Sequence, residues 1–236
     1  MKSLGIMQAY FMPYIGYFQL INAVDEFVIY DNIQYTKKGW INRNRILQGD
    51  GDKYITLPLK KDSDFLNIDE RFLADSFNPQ KLIKQIETIY HGAPYYQEVS
   101  KWLENILYFE EKNLFWYIFH SVKEVCKYLN ITTPIIISSQ LKFDNSLKGE
   151  NKVIAICKER ECTRYINAIG GIDLYHSAVF AKEGIELRFI KTVFQEYPQF
   201  RNKFIPALSI MDVLMFNSKF EIQQMLLNYQ LIEEER

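Results

Sequence analysis

Lys37, Lys38, Arg43 and Arg45 fall within nine residues and are interleaved with Tyr35, Trp40, Asn42 and Asn44. Guanidinium forks and ammonium charges beside amide donors and an indole suit a polyphosphate-bearing nucleotide, the cations meeting phosphate oxygens and the ring meeting base or sugar. The competing explanation is a solvated charged loop. A second group, Gln8, Tyr10, Pro13, Tyr14, Gly16 and Tyr17, crowds aromatic rings into a Pro/Gly turn. Gly16 at a helix start would let backbone N–H groups approach a phosphate with no Cβ in the way. Ser138 and Ser139 at a strand end, with Lys148 and Lys152 around a helix start at Gly149, make a second candidate phosphate site. A lysine there opposes the helix dipole, a local cost that a bound anion would offset, although a solvated loop explains it as well. Asn167, Gly170 and Gly171 follow a strand, where paired glycines mean either close backbone approach or a bare turn.

Candidates for proton transfer are few. His120 lies in a Phe- and Trp-rich helix and reads as structural, whereas His176 sits beside the Gly-Gly turn and is the better general base. Asp31 ends an apolar strand on the same rim. Asp212 is a lone carboxylate in the apolar run Leu208 to Phe216, so it needs a cap or packed hydrogen bonds, a rim cation, or a catalytic role. No Ser-His-Asp pattern, nucleophile elbow, P-loop or His-Glu-x-x-His motif occurs. Cys126, Cys157 and Cys162 have no metal-ligand spacing, and their odd count argues against a disulfide framework. No metal site is expected.

These residues need a scaffold, and periodicity supplies one. An apolar strand ending near Gln8, a short helix over Gln19 to Val24 and the run Phe27 to Tyr30 make a βαβ start. In such sheets ligands sit at the carboxyl ends of the strands. Tyr54 to Leu59 reads as another strand after the turn residues Gly49 to Asp52. Asn78-Pro79 opens a helix to about Tyr90, and Tyr95 to Leu129 is helical with a break near Lys112-Asn113, which predicts a helical insertion over about 79–130. Pro134 to Ile137, Arg164 to Asn167 and Ile185 to Phe189 read as strands, Gly149 to Arg160 as a helix, and Ser218 to Tyr229 as an amphipathic tail helix. Strands separated by helices predict a single α/β domain over 1–236 with a doubly wound, mostly parallel sheet.

Composition narrows the partners. With 17 Phe, 16 Tyr and 3 Trp the chain is rich in rings, which fill a core first and can also stack on flat ligands. A net charge of −1, with both signs interspersed, offers no basic field, so nucleic acid is not expected as the main partner. No apolar run approaches the roughly 20 residues of a membrane span, and Lys2 leads straight into a core strand rather than a signal peptide. With reduced cysteines, this predicts a cytoplasmic protein without membrane insertion. The oligomeric state is open, a homo-oligomer included.

The blocks Met7 to Phe18, Asp31 to Arg45, Tyr165 to Gly171 and Pro206 to Asn217, in that order, resemble the WbqC-like proteins over about Lys2 to Phe220. Ala9 and Ala168 stand where that family's pattern has proline. The resemblance implies work on precursors of bacterial O-antigen or capsular polysaccharide, hence a dTDP- or UDP-linked amino sugar as partner, and it adds Gln34 to the site candidates. The first βαβ is also similar to the nucleotidylyltransferase and pantothenate-synthetase group, a Rossmann-like fold, although Tyr14-Ile15-Gly16-Tyr17 replaces that group's histidine signature. The expected activity is formation of an amide between the sugar amine and an amino acid such as glycine. ATP with Mg²⁺ as co-substrate, or a preactivated acyl donor, would drive it, with no permanently bound cofactor. Lys37, Lys38, Arg43 and Arg45 would hold phosphates, Tyr10, Tyr14 and Trp40 would stack, and Asp31 or His176 would take the amine proton. The alternatives are a non-catalytic sugar-nucleotide binding or scaffolding protein and a glycosyltransferase.

Overall fold

The computed structural model describes residues 1–201 and 203–234. In chain order its first elements are β1 (Ser3–Gln8), α1 (Ile15–Asn22), β2 (Glu26–Tyr30), β3 (Arg43–Gln48), β4 (Gly51–Thr56), α2 (Pro79–Tyr90), α3 (Tyr96–Leu107) and α4 (Leu114–Tyr128). There follow β5 (Ile135–Ile137), α5 (Gly149–Glu159), β6 (Arg164–Ala168), α6 (Ser177–Lys182), β7 (Glu186–Thr192), α7 (Ile210–Phe216), α8 (Lys219–Met225) and β8 (Tyr229–Ile232). The helix starts follow local chemistry. Asn78 accepts from the N–H of Gln80 with Pro79 in the first helical position, Asn113 accepts from the N–H of Trp116, and Ser218 and Glu221 form a reciprocal capping box.

Six strands form one sheet in the order β5-β2-β1-β6-β7-β8. All neighbours are parallel except β7 and β8, which are antiparallel. Alternation along the strands feeds two apolar layers. Phe27 and Ile29 join a cluster with α1, α2, α3, α4 and α7, while Leu4, Ile6 and Val28 join one with α5 and Phe180 of α6. The sheet is therefore covered on both faces. The chain moves from β1 outward to β2 and β5, then returns to lay β6 and β7 on the other side of β1. Connections leaving the carboxyl ends of β1 and β6 thus diverge, and a crevice opens between them.

Three elements differ from the sequence expectation, and the first is α1, which spans Ile15–Asn22 and not Gln19 to Val24. The strand expected over Tyr54 to Leu59 begins earlier, at Gly51, and pairs only with β3 in a two-stranded hairpin apart from the main sheet. The Gly49-Asp50 turn closes this hairpin, setting Gln48 opposite Gly51. The tail helix expected to reach Tyr229 stops at Met225, and Tyr229 to Ile232 instead pairs with β7, Tyr229 opposite Thr192. Edge pairing outside the parallel set overrides the helical period of that segment. Among the described residues no helix is long and apolar enough to cross a membrane.

Candidate functional site

Two hollows lie at the switch point and share Tyr10 and Trp40 as a common wall. The larger, about 530 Å³, takes Gln8 from the end of β1, Tyr30 from the end of β2, Asn167 from β6, and Gly170 and Gly171 from the turn after it. Gly149 and Lys152 reach it from the first turn of α5, Gln34 and Trp40 from the loop before β3, and Tyr175 from the segment before α6. Its size is that of small-molecule and cofactor sites. The smaller, about 160 Å³, is lined by Tyr10, Pro13, Tyr14, Trp40, Asn44, Arg45 and Ala207.

Backbone straps hold this rim in place. The N–H of Phe11 donates to Ile41 O at 2.9 Å, and the N–H of Ile210 donates to Pro13 O at 2.9 Å. Asn44 Nδ2 donates to Phe11 O at 3.2 Å and Ser209 Oγ to Met12 O at 2.8 Å. The Tyr10–Tyr14 loop is therefore tied to β3 on one side and to the start of α7 on the other, which fixes the wall between the hollows.

The larger hollow is polar without being acidic. Lys152 is its cation, held over the rings of Tyr30 at 5.1 Å and Phe143 at 5.7 Å. Burial lowers its pKa below the ordinary lysine value, and the charge of Asp31 partly opposes this. Lys148 gives α5 no side-chain cap, and Gly149 and Lys152 of its first turn line the hollow. Burial, with a smaller contribution from Tyr14, pushes the Tyr10 hydroxyl up to about 12, and burial also raises Tyr30 and Tyr175. All three are neutral donors near pH 7. Gly171 is a close approach: a Cβ there would stand 2.2 Å from Asn167 Nδ2. Among the described residues no carboxylate or histidine lines either hollow.

The residues singled out by sequence divide into three groups. Gln8, Tyr10, Gln34, Trp40, Lys152, Asn167, Gly170 and Gly171 line the larger hollow, and Pro13, Tyr14 and Arg45 line the smaller. A second group packs behind the rim. Tyr17 is buried and donates to Gln8 O at 3.0 Å, and Asn42 bridges Tyr35 and Leu57 O at 2.8 Å each. Space beside Gly16 is taken by the Tyr14 ring and Thr192 Oγ1, each 2.4 Å from where a Cβ would stand, so its missing side chain serves packing. The buried Asp31 carboxylate accepts from Ser138 Oγ at 2.7 Å and from the Ser139 N–H at 3.0 Å, clasping the ends of β2 and β5 together.

The third group points elsewhere. Lys37 pairs with Asp64 at 2.8 Å, and Lys38 is exposed. Arg43 donates to the carbonyls of Gly39 and Lys38 and stacks over Tyr54 at 4.4 Å. Lys148 is exposed at the start of α5. His176 is exposed outside both hollows, its Nδ1 3.1 Å from Glu150 Oε1. The basic stretch therefore contributes Arg45 to the crevice and not a cluster of four cations. Tyr30, Tyr175 and Asn44 are the polar lining residues that sequence reasoning left outside its site, although strand end, Gly-Gly turn and basic block each flanked one of them. Two Asp-x-Asp pairs, Asp50 with Asp52 and Asp62 with Asp64, border this region, with Asp52 near Arg45 and Asp64 on Lys37. Among the described residues no group of three or more His, Cys, Asp or Glu could hold a metal.

Asp212 lies beneath the rim, fully buried. It accepts from Tyr90 Oη at 2.8 Å, Tyr197 Oη at 2.7 Å and Gln199 Nε2 at 2.7 Å. Its partners are neutral donors and not the rim cation that was one of its expected partners. Burial raises its pKa above the usual carboxylate range, and the three hydrogen bonds oppose that.

Comparison with known proteins adds family context. A family model described as the WbqC-like protein family matches residues 8–224, a span that begins at the rim residue Gln8. The uncharacterized protein Rv1507c of Mycobacterium tuberculosis (strain ATCC 25618 / H37Rv) is 33% identical over 222 residues, which cover 92% of this chain and 94% of that one. No solved structure matches.

Proposed function

The chain belongs to the WbqC-like protein family, and from that premise we propose that it is an enzyme that binds a nucleotide-linked amino sugar in the switch-point crevice and joins an acyl group, such as an amino acid, to the sugar amine. On this reading the chain works in surface polysaccharide assembly. The observation that carries the reading is the pair of neighbouring hollows that share Tyr10 and Trp40, because amide formation needs two substrates held side by side. In the larger hollow, Lys152, the uncapped start of α5 and the Gly170-Gly171 turn would take the diphosphate. Trp40 and Tyr10 would stack on base or sugar, and Gln8, Gln34 and Asn167 would meet hydroxyls. The strand order and the rim loop also support kinship with nucleotidylyltransferase-like folds.

Only the neutral amine attacks an acyl carbon. Neither Asp31 nor His176 lines the crevice, so the chain's contribution to that step is environmental: burial against rings favours the uncharged amine over the ammonium. If ATP activates the acid, Mg²⁺ would be carried by the phosphates, since among the described residues no carboxylate lines the hollows to ligate it. The missing acid and base support a second reading, a non-catalytic sugar-nucleotide carrier. Incubation with a dTDP- or UDP-linked amino sugar, glycine, ATP and Mg²⁺, followed by mass spectrometry, separates the two. A sugar nucleotide heavier by one glycyl residue is the expected product, and tight binding with no mass change would leave only the carrier.

A further inference from the structure

The smaller hollow contains a guanidinium with unmet hydrogen-bonding capacity. Arg45 Nη1 reaches Asp52 Oδ1 only at 3.4 Å, and Nη2 reaches Ala207 O only at 3.5 Å. Its Nε is buried with no hydrogen-bond partner. Buried donors are rarely left so, and charge-assisted bonds to a guanidinium run at about 2.7–2.9 Å. Nε and Nη2 form one edge of the fork, the edge that takes both oxygens of a carboxylate side-on. The same chain shows what a satisfied edge looks like: Arg160 holds Glu26 with Nε and Nη2 each at 2.9 Å. Arg71 also has an unpartnered Nε, but its Nη1 donates to Ser63 O at 2.8 Å, its guanidinium lies over Tyr35 at 4.9 Å, and it borders neither hollow of the crevice.

We propose that the smaller hollow is a carboxylate subsite, in which the guanidinium of Arg45, held only by contacts of 3.4 and 3.5 Å, turns its now covered Nε–Nη2 edge toward a compact organic acid, an amino acid among them. This rests on reading the joined crevice as a two-substrate site. A hollow of about 160 Å³ matches roughly five waters, or one acid with a short side chain. Tyr10, Tyr14, Trp40 and Pro13 enclose the carbon skeleton, and burial keeps the Tyr10 hydroxyl a neutral donor. A single planar cation already shared with Asp52 suits a monoanion better than a dianionic phosphate. The hollow adjoins the larger one through Tyr10 and Trp40, so the acid would sit next to the sugar nucleotide.

The test is a calorimetric and ligand-observed NMR titration of the full chain with glycine, acetate, glycinamide and inorganic phosphate, with and without saturating dTDP. Glycine and acetate should bind, glycinamide should not, and phosphate should bind more weakly than either acid. Arg45→Lys keeps the charge but loses the edge and should weaken acid binding by about tenfold or more. The wild-type ligand series decides the matter even if that variant folds poorly. Equal binding of glycine and glycinamide, tighter binding of phosphate, acid binding indifferent to Arg45→Lys in a folded variant, or no acid binding by a chain that binds dTDP would each overturn the subsite. Acid binding without any dTDP- or UDP-sugar binding would keep the subsite and remove the sugar-nucleotide function instead.

Discussion

Lys152→Met is expected to weaken binding of a dTDP- or UDP-linked sugar by about ten- to a hundredfold, with the free energy of unfolding within about 0.5 kcal/mol of the wild type. Methionine keeps the apolar stem that packs against Tyr30 and Phe143 and removes only the charge. One charge-assisted contact to phosphate is worth about 1.5–3 kcal/mol, which sets the range. The pH dependence follows from the direction of the shift. Burial lowers the lysine pKa, so its cation is lost at a lower pH than an ordinary lysine's, and affinity should fall as pH rises through that lowered value. Tyr10 is raised to about 12 and stays neutral through the same change, so it does not mask it. Titration calorimetry at several pH values, with urea unfolding on the same samples, checks both parts. Unchanged affinity in the variant would remove Lys152 from the phosphate site.

The second large effect is on stability. Asp212→Ala should destabilise the fold by about 3–5 kcal/mol, because it strands the buried donors of Tyr90, Tyr197 and Gln199 and opens a cavity. Asp212→Asn keeps the shape and should lie within about 1 kcal/mol of the wild type at neutral pH. The folded carboxyl pKa is raised above its unfolded value, so the protonated form is the one folding favours. Its contribution to stability is full below the unfolded pKa, near 3.9 for an ordinary Asp, and is lost as pH rises through the folded pKa. Wild type should therefore lose stability relative to Asp212→Asn on raising the pH across that window. Urea denaturation of the three proteins between acidic and neutral pH tests it. A difference that grows in favour of the wild type as pH rises would mean that the three hydrogen bonds outweigh burial.

The parallel sheet was legible because its strands carry local signals: β-branched apolar runs at Ile135 to Ile137 and Phe27 to Tyr30, and turn residues where they end. β8 was not, since the helical period that starts at Ser218 is read only as far as Tyr229, and Tyr229 to Ile232 becomes a strand through long-range pairing with β7. The rim loop could be read from Pro13, its rings and its place after β1. The basic block misled where composition was taken for convergence. Arg43 and Arg45 share a face of β3, yet Arg43 is taken up by backbone carbonyls and Tyr54 while Arg45 lines the smaller hollow. Asp31 carries a similar lesson: its place at a strand end was apparent, but the serine clasp that occupies its carboxylate depends on contacts 107 and 108 residues away. Lys152 was marked for the charge it adds near a helix start, and its position between two rings is a property of packing.

Hydrogen exchange of the full chain, measured by mass spectrometry with and without a dTDP- or UDP-linked amino sugar, bears most directly on where the substrate goes. Binding in the switch-point crevice should slow exchange in the segments carrying Tyr10, Gly149 to Lys152 and Gly170 to Gly171, and leave Lys37 and Lys38 unchanged. Protection confined to the Lys37–Arg43 loop, with the starts of α5 and the Gly-Gly turn untouched, would contradict the assignment and return the phosphates to the basic stretch.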